Sequence, residues 1–127
     1  HLMLGHLMEW LFSGLAGIRQ EQGTQGYRRI VIAPNPVGDI TWAKAGYRSV
    51  RGRIASSWKI EPDGFSLEVD VPPGAEATVF LPAGREAGLL EGGRPVREAE
   101  AVRYLGWADG RARFKVGSGR YVFRSKG

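Results

Sequence analysis

Glu68 and Asp70 are the carboxylates that come nearest to a catalytic pair in this chain. They alternate with Leu67, Val69 and Val71, so a strand projects both from one face, about 7 Å apart. Two carboxyl groups at such a distance are in principle near enough for paired acid–base work. The same alternation describes a strand with one solvated face, and charges on that face need no chemistry to explain them. Most other acids fall in turns or at outward strand positions. His1 and His6 are five residues apart, off the three- or four-residue spacing that helical metal pairs use. There is no cysteine, which excludes thiolate ligands and a disulfide framework. Nucleophile-elbow, phosphate-loop and dinucleotide fingerprints are also missing. The expectation is therefore no catalytic residue, no metal site and no cofactor within the chain. Trp42, Trp58 and Trp107 could form a sugar-stacking platform. Trp42 and Trp58 lie in strand-like runs, where packing in the core is the default, and Trp107 beside Asp109-Gly110 is the best candidate for exposure.

The elements that would position these groups read as follows. His1–Ile18 carries Leu4, Leu7, Met8, Leu11, Leu15 and Ile18 on one helical stripe, with Leu2, Met3, Trp10 and Phe12 filling much of the rest. A helix this apolar belongs inside a larger body. It lacks an N-cap, and Gly17 offers a stop. The expectation is a truncated chain, the tail of one domain followed by a second. Arg19–Gly26 is polar and reads as a linker. From Tyr27 onward the period is twofold. Strands are expected at Arg29–Ile32, Thr41–Tyr47 and Gly52–Ile60, the last with Ile54, Trp58 and Ile60 on one pleat face. Pro62-Asp63-Gly64 is a turn into Phe65–Val71, and Ala77–Leu81 follows after Pro72-Pro73-Gly74. Gly84–Val96 reads as loop and Arg103–Leu105 as a short strand. Ala112–Val116 and Arg120–Phe123 are joined by Gly117-Ser118-Gly119, which reads as a compact hairpin loop. The fold class is mainly β: an N-terminal helix followed by a two-layer antiparallel β-sandwich over 27–127.

Composition sets the outer bounds. The 127 residues are enough for an independent core, and the 43% hydrophobic and 24% charged fractions are ordinary for a globular domain. Of the 18 basic residues only Lys44, Lys59, Lys115 and Lys126 are lysines, and the net charge is +5. The arginines are spread along the chain without a nucleic-acid motif, so no nucleic-acid partner is expected. The opening apolar run is too short to span a bilayer and contains Glu9 and two histidines, so no membrane partner is expected either.

Several segments, in order, resemble the C-terminal end of bacterial α-L-rhamnosidases of glycoside hydrolase family 78. His1-Leu2-Met3-Leu4-Gly5-His6-Leu7-Met8-Glu9-Trp10-Leu11 is similar to the H-x-M-x-G-x-x-x-E-W-L stretch late in that family's (α/α)6 barrel. Leu15-Ala16-Gly17-Ile18 resembles its helix end. Ile30–Pro36 and Thr41–Ala45 resemble the opening strands of the following sandwich. Tyr47-Arg48-Ser49, Gly52-Arg53-Ile54, Ser57-Trp58, Leu67–Pro72, Thr78–Pro82 and Gly117–Tyr121 continue the likeness, which weakens between Gly84 and Arg111.

The resemblance implies an inverting hydrolase of terminal α-L-rhamnosyl groups, in which one carboxylic acid protonates the leaving oxygen and an opposed carboxylate activates water. It places both upstream of this stretch, so the chain alone is expected to be inert. His1 matches a histidine lining the rhamnose pocket and is the substrate-binding residue that the likeness carries over. Glu9 and Trp10 match as structural residues. The implied partner is a rhamnose-containing glycan or glycoside, bound through the barrel; the alternative is a carbohydrate-binding or structural module of another α/α-barrel glycosidase. An orphaned apolar helix over 1–18 further predicts self-association, with Leu4, Met8, Leu11 and Leu15 as contacts.

Overall fold

The computed structural model describes residues 17–20, 29–36, 38–49 and 51–126. They form eleven strands: β1 (Ile18–Gln20), β2 (Arg29–Ile32), β3 (Trp42–Ser49), β4 (Gly52–Glu61), β5 (Gly64–Val71), β6 (Glu76–Pro82), β7 (Leu90–Glu91), β8 (Arg94–Pro95), β9 (Val102–Ala108), β10 (Arg111–Val116) and β11 (Gly119–Lys126). Two sheets stack as a sandwich. One has the order β1-β2-β6-β10-β9 and the other β3-β4-β5-β11-β7-β8. Pairing is antiparallel except between β2 and β6, which run parallel with Ile30 beside Ala77.

Alternation builds the interior. Leu67, Val69 and Val71 on β5 are buried, as their period predicts, while Glu68 is exposed and Asp70 half-buried. The inward residues of β6 and β10, including Val79, Leu81, Ala112 and Phe114, meet them from the other sheet. Phe114 and Phe123 belong to opposite sheets and stack at 4.9 Å between centroids, a contact worth about 0.5–1.5 kcal/mol beyond area burial. Ser125 is the polar stitch: its Oγ donates to the Pro82 carbonyl at 2.6 Å, tying β11 to the end of β6.

Several sequence expectations are corrected. The helix expected over His1–Ile18 lies outside the described residues up to Ala16, and its final residue is not helical. Gly17 takes a left-handed φ of 79°, and Ile18 pairs with Ile32 in β1. Arg19 and Gln20 are thus strand rather than linker; 21–26 lie outside the described residues. Gly117-Ser118-Gly119 does not close a hairpin. β10 pairs with β6 and β9, whereas β11 pairs with β5 and β7, so this link crosses between sheets. Both strands bury alternate residues toward one interior, and stacking satisfies that as well as pairing would. Ile60 keeps the parity of Ile54 and Trp58 but is 43% exposed, near the end of β4 before the Pro62-Asp63 turn. The segment read as loop, Gly84–Val96, contains a small hairpin. β7 and β8 pair across Gly92-Gly93, both at positive φ, the conformation that two-residue hairpin turns demand.

Candidate functional site

The outward face of β3, β4, β5 and β11 carries a groove of about 230 Å³ lined by Lys44, Arg53, Glu68, Asp70 and Arg120. Strand register builds it row by row. Gly46 on β3 stands beside Ala55 on β4, Asp70 on β5 and Arg120 on β11. The next row is Lys44, Ser57, Glu68 and Val122. Small residues make the floor and charged ones the walls. The Arg53 guanidinium lies across Gly46, where a Cβ would sit 2.6 Å from Arg53 Nη2 and would push that flexible side chain aside. One row further along, Trp42 faces outward beside Lys59 and is 65% exposed.

The groove's ion pair is asymmetric. Arg120 Nε donates to Asp70 Oδ1 at 2.9 Å, and its Nη2 donates to Oδ2 at 3.4 Å. That hydrogen bond, then the Asp70 charge, pushes the guanidinium's pKa up from its already high range. Glu68 has no such partner among the described residues and faces the groove directly. The two carboxylates stand side by side on one open sheet face. Both project from β5 to the same side of the sheet, whereas an acid and a base in inverting hydrolysis stand on opposite sides of a sugar ring, about 6.5–9.5 Å apart. The arrangement offers donors and acceptors for recognition.

The three tryptophans divide differently from the sequence reading. Trp58 is buried as expected and stacks on Phe65 at 5.6 Å. Trp42 is exposed, contrary to expectation, because β3 turns Ala43 and Ala45 toward the core and sends Trp42 and Lys44 outward. Side-chain size misleads here, because the inward positions of β3 hold the small, half-buried Ala43 and Ala45 while the large indole stands outside. Trp107 lies within β9 rather than in a turn. It is 38% exposed, and its Nε1 donates to the Ala83 carbonyl at 3.1 Å, so its polar edge is spent on structure. The turn after it is Asp109-Gly110, both at positive φ. His1, the expected substrate contact, lies outside the described residues, as does His6.

The comparisons with known proteins decide the family. A family model for the bacterial alpha-L-rhamnosidase C-terminal domain matches residues 17–94. The chain belongs to that family. Whole-length likeness to individual enzymes is wider still. An alpha-L-rhamnosidase of Streptomyces avermitilis is 35% identical over 123 residues, which is 97% of this chain and 11% of that protein. One from Formosa agariphila is 29% identical over 126 residues, 99% of this chain and 13% of its own length. Among solved structures, the Streptomyces avermitilis alpha-L-rhamnosidase complexed with L-rhamnose superposes with a TM-score of 0.83 at 33% identity, covering 99% of this chain and 11% of that one. The alpha-L-rhamnosidase of Dictyoglumus thermophilum gives the same score at 29% identity, covering all of this chain and 14% of the other. This rhamnosidase C-terminal domain chain therefore spans little more than a tenth of the relatives it matches.

Proposed function

We propose that this chain is an accessory C-terminal part of an inverting glycoside hydrolase that removes terminal α-L-rhamnosyl groups, with the catalytic carboxylates elsewhere in that enzyme. The observation that carries the reading is the superposition on the Streptomyces avermitilis enzyme, which takes in 99% of this chain and only 11% of that one. The open, one-sided placement of Glu68 and Asp70 supports the same reading, since inversion needs opposed groups. On this account the residues up to Ala16 belong to the last helix of an (α/α)6 barrel, and His1 donates a ring N–H to a rhamnose hydroxyl there. The barrel binds the rhamnose-containing glycan, and the sandwich braces it.

The test is direct. The purified chain should release no aglycone from an aryl α-L-rhamnoside, while the Streptomyces avermitilis enzyme assayed alongside does. With the acid, the base and the sugar pocket all elsewhere in the enzyme, the chain has no group to protonate the leaving oxygen or activate water and should show no turnover above background. Turnover by the chain alone would overturn the proposal.

A further inference from the structure

We propose that the groove on the outward face of β3, β4, β5 and β11 binds neutral glycan, holding vicinal hydroxyls between Arg53, Glu68 and Lys44 and packing a sugar ring on Trp42. The inference rests on the reading of the chain as part of a glycoside hydrolase and adds a binding site to a domain that this reading otherwise treats as a brace.

Three independent features point to such a ligand. The first is shape. Ala55 and Ser57 on β4, beside Gly46 on β3 with the Arg53 guanidinium over it, keep the floor low, so a flat ring can approach the sheet between the charged walls. The second is the chemistry of those walls. A guanidinium presents paired N–H donors and a carboxylate paired acceptor oxygens, which match adjacent hydroxyls that each donate and accept. Three cations, Lys44, Arg53 and Arg120, face two anions, Glu68 and Asp70. That near balance favours an uncharged polar ligand. The outward face of the other sheet differs, with Arg111, Arg113 and Lys115 in a line on β10, and would draw anions instead. The third is Trp42. Two positions before Lys44 on the same face, it lies about 7 Å along the strand and leaves its indole 65% exposed. An exposed aromatic face beside convergent polar groups suits the C–H face of a sugar and its hydroxyl edge together.

Amide chemical shifts of the full chain, titrated with L-rhamnose, a rhamnose-terminated oligosaccharide and polygalacturonate, test this. The expected result is saturable shifts confined to β3, β4 and β5 with the neutral sugars. Trp42→Ala, whose side chain is mostly outside the core, should fold with an unchanged spectrum elsewhere and bind about tenfold more weakly, a change of about 1.4 kcal/mol. Glu68→Gln should weaken binding by about threefold or more, and Lys115→Glu on the opposite sheet should not change it. No saturable shift with any neutral sugar would overturn the proposal. So would shifts centred on Trp107, or a response on β10 to polygalacturonate alone. An absent titration signal leaves the accessory-domain reading standing. Turnover of the aryl rhamnoside would sink that reading and leave the groove untouched.

Discussion

Tyr104 illustrates how a half-buried polar side chain is fixed at the rim of the core. Its ring tilts against Phe114 at 5.5 Å, and its phenol O–H donates to Glu86 Oε2. Burial first, then that hydrogen bond and the Glu86 charge, push its pKa from 10.0 up to about 12, with Arg97 pulling the other way. The folded state thus holds this proton more tightly than the unfolded chain. The associated stability is complete below about pH 10 and is lost as the pH climbs toward 12. Urea unfolding of the native chain should weaken across that window, and Tyr104→Phe should flatten part of the decline. Identical pH profiles for the two proteins would refute the assignment. Phe114, beneath Tyr104, is fully buried between Tyr104 and Phe123. Phe114→Ala removes contacts to both sheets and should cost about 3–5 kcal/mol, read as a lower urea midpoint. A loss under about 1 kcal/mol would mean the two layers pack independently of that ring.

At the scale of elements, register decides which positions tolerate change. Gly64 opens β5 opposite Lys126, and a Cβ there would stand 1.9 Å from the Ser125 carbonyl oxygen. That oxygen is backbone, so the β5–β11 pair itself must part. Gly64→Ala should cost about 1–3 kcal/mol as overpacking, and faster amide exchange at the Lys126 end of β11 would locate the damage. Gly92, which has open space around its Cβ position but φ of 62°, should tolerate Asn far better than Val, because Asn accepts left-handed backbone. The strands that alternate cleanly were legible in the sequence: β5, β6 and β10 fell where period two placed them. Legibility failed where a single strand's pattern carries no information about its partner. Nothing in Ala112–Phe123 distinguishes a hairpin from a link between layers, since both put the same residues inward. It failed again at β3, where the buried set is Ala43 and Ala45 and the large indole faces out. The groove depends on that choice, so it could not be assembled from the sequence alone, although Glu68 and Asp70 were placed on the correct face.

The described residues form an interior shared by two sheets with unlike exteriors, and the first of its buried apolar side chains among them is Ile18, which is 3% exposed and paired with Ile32. Gly17 marks the entry: its carbonyl accepts the Ala33 N–H at 2.8 Å, and a Cβ on it would strike Ala33 and Pro34 backbone. Downstream of that contact the described residues bury a continuous set from Ile18 to Phe123. The apolar stretch before Gly17 lies outside the described residues. Burying one Leu or Phe side chain is worth roughly 1.5–3 kcal/mol, and Leu4, Met8, Leu11 and Leu15 together would drive self-association if no barrel covered them. Two consequences follow from one comparison. The 127-residue chain should sediment as an associating species, and Leu11→Lys should shift it toward monomer. A chain starting at Gly17 should be monomeric and still unfold in one cooperative step, because Ile18 to Phe123 supply a continuous buried set among the described residues. If the shortened chain instead bound hydrophobic dye and melted without a transition, the residues before Gly17 would belong to the sandwich's own core, and the division at Gly17 would be wrong.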